Sequence, residues 1–149
     1  SPCMRSFYFA YGSNMNFAQM HNRCEGAIYI GRARLDDWSY FINSNGYAGI
    51  EISSGSQVFG CLWLLEQNHL KVLDKYEAVE EGFYTRIEVL VFDEQSLTKK
   101  EAIVYLSNNR EYGLPTETYQ KGVLQGAQQV GLPIEYSELL ESWSDGKLK

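Results

Sequence analysis

The chain is expected to fold as a mixed α+β domain, a curled and largely antiparallel mixed β-barrel flanked by helices. Three observations predict it. Short apolar or alternating runs, rich in aromatic and β-branched residues, recur between Phe7 and Leu106 and end at Gly, Asn or Ser. Helical spacing interrupts these runs after Gly12 and after Asn68, then takes over beyond Pro115. The resulting order is strand, helix, several strands, helix, two strands, two helices, the pattern of a mixed fold with a curled sheet.

The first run, Phe7-Tyr8-Phe9-Ala10-Tyr11, is apolar on both faces and short, which suits a buried central strand. Gly12-Ser13-Asn14 ends it. Asn14 or Asn16 can cap a helix reaching about Cys24, with Gly26 as its C-terminal glycine. Residues 27–44 read as one long bent strand or a pair of strands, closed by the turn Asn43-Ser44-Asn45-Gly46. Two strands, 47–52 and 58–65, are expected around a turn at Ser53-Ser54-Gly55-Ser56. Gly60 within the second marks a bulge or a close approach by another segment. Asn68 is placed as the cap of the next helix.

A strand over 83–93, a hairpin turn over 94–98 and a strand over 101–106 follow, then a polar, Tyr-bearing loop over 108–115. Thr116 opens a helix on which Tyr119, Val123, Gly126, Ala127 and Val130 share a face. Gly122 and Gly126 each cost a helix about 1 kcal/mol relative to Ala, so a close backbone contact is expected over them. Gly131-Leu132-Pro133 ends that helix and starts a last one, 134 to about 143, with Leu139 and Leu140 inward. Residues 144–149 read as a frayed tail and Ser1-Pro2-Cys3, ahead of Met4, as a cloning remnant. One domain over 5–143 remains.

Composition narrows the function. With 149 residues, 44% of them hydrophobic and 21% charged, the chain reads as a soluble domain with a substantial core. A net charge of −6 argues against nucleic acid, whose phosphates need a basic surface. No apolar run approaches the roughly 20 residues of a membrane span, and no leader pattern precedes the first strand. Cys3, Cys24 and Cys61 are sparse and show no metal-ligand spacing, which points to reduced thiols and a cytosolic location. His21 and His69 both read as helix-surface residues, so a Ser, Cys or His hydrolase finds little support.

One stretch stands out chemically. On the helix beginning near Asn68, Leu70, Leu73 and Glu77 share a face, while Lys71 and Lys75 lie on another. A carboxylate thus continues an apolar stripe just before the chain breaks at Gly82. Burial would raise its pKa and suit it to take and return a proton near neutral pH. The competing reading is a half-exposed Glu at a helix rim. Asp74, Glu80 and Glu81 read as structural or surface acids. The turn after the first strand is likewise open to two readings: a cradle of backbone N–H groups for an anion, or a plain strand-to-helix turn.

Three segments carry a family resemblance. Tyr8-Phe9-Ala10-Tyr11-Gly12-Ser13-Asn14 resembles the first signature of the γ-glutamylcyclotransferase family. Leu73-Asp74 through Glu77, then Gly82 and Tyr84, resembles the second, and Gly131-Leu132-Pro133-Ile134-Glu135-Tyr136 the third. They occur in family order over nearly all of residues 5–143. The resemblance implies a mixed β-barrel flanked by helices and an enzyme that releases an amino acid from a γ-glutamyl compound while the glutamyl part closes to 5-oxoproline. It implies Glu77 as general acid/base, residues Tyr8, Phe9, Ala10, Tyr11, Gly12 and Ser13 as the loop holding the glutamyl α-carboxylate, and Tyr84 and Tyr119 as pocket walls with hydroxyls toward the substrate. No metal or organic cofactor is implied, and a homodimer is suggested by analogy alone. Ala78 departs from the pattern, because Gly commonly follows the catalytic Glu.

Two alternatives accompany this reading. One is a cyclotransferase for γ-glutamyl amines or γ-glutamyl-protected natural products, with residues 107–115 bordering the leaving-group pocket. The other is a non-catalytic small-molecule-binding module on the same fold. Tyr11 reads equally as a core residue or a ligand contact.

Overall fold

The computed structural model describes residues 4–144; the expectations for Ser1-Pro2-Cys3 and for the tail beyond Ser144 fall outside that range. Strand β1 (Arg5–Ala10) leads through a short 3-10 turn (Ser13–Met15) into helix α1 (Phe17–Arg23). Strands β2 (Ile28–Ile42) and β3 (Ala48–Glu66) follow, then α2 (Gln67–Tyr76), β4 (Tyr84–Asp93), β5 (Thr98–Ser107), α3 (Glu117–Val130) and α4 (Ile134–Ser142). The strands form a closed barrel in the order β1-β3-β2-β4-β5.

The expected class holds, and the pairing shows how the sheet curls shut. Antiparallel ladders join β1 to β3, β2 to β3 and β4 to β5 along most of their length. Two short seams complete the circuit: β2 against β4 at Ala33–Asp93 and Arg34–Phe92, and β1 against β5, in parallel, at Phe7–Ala102 and Tyr8–Ile103. β1 therefore has a hydrogen-bonded neighbour on each edge, the central position expected of it, and its C-terminal half is buried on both faces, as its apolar sequence requires.

Several local expectations are corrected. Residues 48–66 form one strand instead of two, because 53–56 bulge outward without reversing the chain. Gly55, at φ +83°, lets its N–H bond the Asp37 carboxylate across the bulge at 2.9 Å. Helix α2 is capped by Glu66, not Asn68. Glu66 and His69 form a reciprocal capping pair in which the Glu66 N–H meets His69 Nδ1 at 3.0 Å. His69 is accordingly buried, 4% exposed, and not a surface residue. On α4 the inward positions are Tyr136 and Leu140, whereas Leu139 is 37% exposed.

Other expectations are met by specific contacts. Asn16, not Asn14, caps α1, its Oδ1 accepting from the Gln19 N–H at 3.1 Å. The glycine pair on α3 divides. A Cβ on Gly126 would lie 2.7 Å from Asn16 N and 2.8 Å from Met15 C, so here the helix rests directly on the turn after β1; Gly122 meets nothing within 4 Å. Asn16 Nδ2 and Phe17 N–H add bonds to Gln125 and Gln129 of α3. Fully buried Leu73 anchors α2 to the barrel, contributing about 2 kcal/mol and fixing where the helix must end. The turn after β1 is thereby held against α3, and the end of α2 by the burial of Leu73.

Candidate active site

A cavity of about 940 Å3 opens between these two places, lined among others by Tyr8, Tyr11, Gly12, Ser13, Glu77, Tyr84 and Tyr119. Phe9 and Ala10 do not line it. Both are buried in the core, and they lie on opposite faces of β1, so the strand is packed on both faces at its end. The loop expected to hold an anion is therefore narrower than the motif, comprising Gly12 and Ser13 with Tyr8 and Tyr11 beside them.

Glu77 is the C-terminal cap of α2, its N–H bonded to Leu73 O at 2.8 Å. Its side chain is half-buried, open to the cavity and otherwise enclosed by protein. Desolvation pushes its carboxyl up to about 7, with the Arg23 guanidinium pulling the other way. Glu77 therefore combines both features named from sequence, a half-buried place at the rim of the helix and a carboxyl facing the cavity. Ala78 follows at φ +49°, a left-handed backbone that directs the chain into the turn toward Gly82. A side chain there costs about 1 kcal/mol, and glycine carries no such cost. Ala78→Gly is expected to raise stability by roughly 0.5–1 kcal/mol, seen as a higher urea midpoint at unchanged slope.

The tyrosines around Glu77 fall into two groups. Tyr11 donates to Tyr105 O at 2.6 Å and Tyr84 donates to Ala48 O at 2.7 Å, so their protons are engaged by backbone. Tyr11 is therefore a core residue that borders the cavity, and the Tyr84 hydroxyl is not aimed at a ligand as expected. Tyr8 and Tyr119 differ. The Tyr8 Oη accepts from Asn14 Nδ2 at 3.0 Å and the Tyr119 Oη accepts from the Ala48 N–H at 3.1 Å. Each keeps its own proton to donate. Burial first, with Glu77 also contributing, raises the pKa of both phenols, Tyr119 to about 12, so they stay neutral donors.

Gly12 has an ordinary negative φ of −122°, so its role is space and not backbone freedom. A Cβ there would approach Ala48 Cβ to 3.1 Å and Tyr119 Oη to 3.2 Å. Gly12 and Ser13 accordingly line the cavity beside a phenolic hydroxyl.

Sequence reasoning missed several lining residues. Asn14, one of two candidate caps for α1, is buried and ties Tyr8 to Gln19 and Arg23. Arg23 and Gln19 sit four apart on α1, a spacing that puts both on the cavity side once the turn is known. Of residues 107–115, Asn108 and Asn109 reach the cavity. Asp74 serves structure, accepting from Arg86 and from Tyr105 Oη at 2.7 Å. Among the described residues no group of three or more His, Cys, Asp or Glu side chains is placed to hold a metal ion. None of the described helices is long and apolar enough to cross a membrane.

A sheltered carboxyl near neutrality, set among neutral hydroxyl donors in a cavity sized for a small molecule, is the equipment of an enzyme that moves protons on a polar substrate. Comparison with known proteins makes this specific. The family model described as the AIG2-like family matches residues 57–140. The γ-glutamylcyclotransferase of Homo sapiens is 37% identical, the match covering 95% of this chain and 80% of the relative. That of Bos taurus is 35% identical, with 91% and 77% covered. A solved structure described as a γ-glutamyl cyclotransferase superposes with a TM-score of 0.86 at 34% identity, covering 93% of this chain and 88% of that one. The chain belongs to the γ-glutamylcyclotransferase family, of the AIG2-like type.

Proposed function

We propose that the chain is a γ-glutamylcyclotransferase in which Glu77 is the general acid/base. The observation that carries the assignment of Glu77 is its place: a desolvated carboxyl with pKa near 7, open to a cavity whose other wall is the Gly12–Ser13 turn. The N–H groups of that turn hold the glutamyl α-carboxylate, and the Tyr119 hydroxyl donates beside it. The α-ammonium then lies toward Glu77. With a pKa of about 8 or above it must lose a proton before its nitrogen can attack, and Glu77 accepts it. The nitrogen forms a bond to the γ-carbonyl carbon, closing a five-membered ring. The C–N bond to the leaving group breaks as Glu77 returns a proton to the departing nitrogen, and the ring nitrogen gives its second proton to the departing amine or to solvent. The products are 5-oxoproline and a free amine.

No covalent enzyme intermediate is needed, because nucleophile and electrophile belong to one molecule. Much of the rate comes from fixing the folded-back conformation; well-aligned intramolecular reactions reach effective molarities of roughly 10⁵ M or more. Tyr8, with its proton still to give, stands ready to donate to oxygen that gains charge in the transition state. Buried thiols at Cys24 and Cys61 suit a reducing, cytosolic setting. A homodimer is part of the same proposal, by analogy, and light scattering of the purified protein reads it directly.

The experiment that tests the function is 5-oxoproline release from a panel of γ-glutamyl donors. Release matched one-to-one by free amine is expected; no release from any donor would refute it. The rate constant kcat/KM should rise with pH through about 7, as Glu77 becomes able to accept a proton. A rising limb near 4.5 would mean that an ordinary solvated carboxylate does the work.

A further inference from the structure

We propose that Arg23 selects γ-glutamyl compounds whose leaving group is an amino acid, by pairing with the carboxylate on the leaving half. The inference rests on the cyclotransferase reading above. Arg23 is the last residue of α1 and the one cation among the described residues lining the cavity. Its guanidinium lies 4.1 Å from the centre of the Tyr76 ring, and Tyr76 is 58% exposed beside Glu77, so the charge stands at the cavity mouth. Among the described residues, Arg32, Arg34, Arg86 and Lys100 each meet a carboxylate, and Arg23 meets none. Among the described residues its single protein acceptor is Asn14 Oδ1, 3.0 Å from Nη1. A guanidinium has five N–H donors in a planar fork, so most of its hydrogen-bonding capacity is not taken up by the described protein residues.

The substrate chemistry supplies a match. A γ-glutamyl amino acid carries two carboxylates. The glutamyl one is assigned to the backbone N–H groups of Gly12 and Ser13, which leaves the second carboxylate without a partner in that turn. With the α-nitrogen at Glu77, the scissile amide lies next to that carboxyl and the leaving half extends away from the turn. Its carboxylate is then the free anion, and Arg23 is the free cation. The ring stack on Tyr76 and the bond to Asn14 hold the fork in place before substrate arrives, which lowers the ordering cost of binding. A γ-glutamyl amine has no second carboxylate and gains nothing from this contact.

The test compares two donors that share the glutamyl half, γ-glutamyl-alanine and γ-glutamyl-ethylamide, in the full chain and in Arg23→Gln and Arg23→Lys. Arg23→Gln is expected to lower kcat/KM for the alanine donor roughly 10- to 100-fold more than for the ethylamide. Arg23→Lys, which keeps the charge but not the fork, should recover part of that ratio. Because both donors see the same protein, any unfolded fraction or altered Glu77 pKa cancels in the ratio. An equal fall for both donors, or no fall, would overturn the proposal and leave Arg23 as a support for Asn14 or Glu77. If the unaltered chain released 5-oxoproline from neither donor, the cyclotransferase reading itself would fail, a distinguishable result.

Discussion

Replacing Glu77 by Gln is expected to lower kcat for 5-oxoproline release by about 10³-fold, within the span general acid/base groups contribute, while 5-oxoproline still binds. The amide keeps the shape of the carboxyl and the packing that Leu73 imposes on the end of α2, but it cannot accept the ammonium proton. Stability should move the opposite way. The carboxyl is raised from 4.5 to about 7 in the folded protein, so the native state holds the proton more tightly than the unfolded chain. That contribution is fully present below about pH 4.5 and is lost as pH rises through about 7, an effect on the order of 3 kcal/mol. The Gln variant, having no charge to bury, should therefore be the more stable of the two at pH 8 and show little difference at pH 4. Thermal unfolding at the two pH values checks this. A variant with unchanged turnover would remove Glu77 from its role.

The second large effect is structural. Gly60→Ala should destabilise the protein by about 3 kcal/mol or more and reduce activity with it. The added Cβ would lie 2.1 Å from Ala10 O and 3.0 Å from Ala10 C, and backbone atoms of a paired strand cannot yield alone. Moving Ala10 moves Tyr11 and Gly12, and with them the turn that borders the cavity. The cost comes from crowding alone. A urea titration and the residual kcat/KM of the folded fraction test both halves; a wild-type midpoint would show that β1 and β3 are not held this tightly.

Where local physics decided the outcome, the sequence was legible. β1 is apolar on both faces because both are buried along its C-terminal half, and the turn after it follows from Gly12 and the Asn16 cap. Glu77 stood out as a carboxylate continuing an apolar stripe, and it lies half-buried at the end of α2 on the cavity. The failures share a different cause. His69 resembles any polar helix residue until its ring is seen to cap its own helix, and Ser53-Ser54-Gly55-Ser56 has turn composition yet only bulges a continuing strand. Tyr84 and Tyr119 look alike in sequence; the direction of one hydrogen bond to Ala48 separates them. Arg23 could not be read as a cavity residue, because what places it there is the packing of α1 beside α2. Leu139 was read inward from hydrophobicity, whereas Tyr136 and Leu140 form the buried face of α4.

The most direct measurement is a crystal structure of the protein with bound 5-oxoproline. The account predicts the product carboxylate on the N–H groups of Gly12 and Ser13, and the ring nitrogen within about 3.2 Å of a Glu77 carboxyl oxygen. A ring bound elsewhere in the cavity, or a Glu77 side chain turned from that nitrogen into solvent, would contradict it.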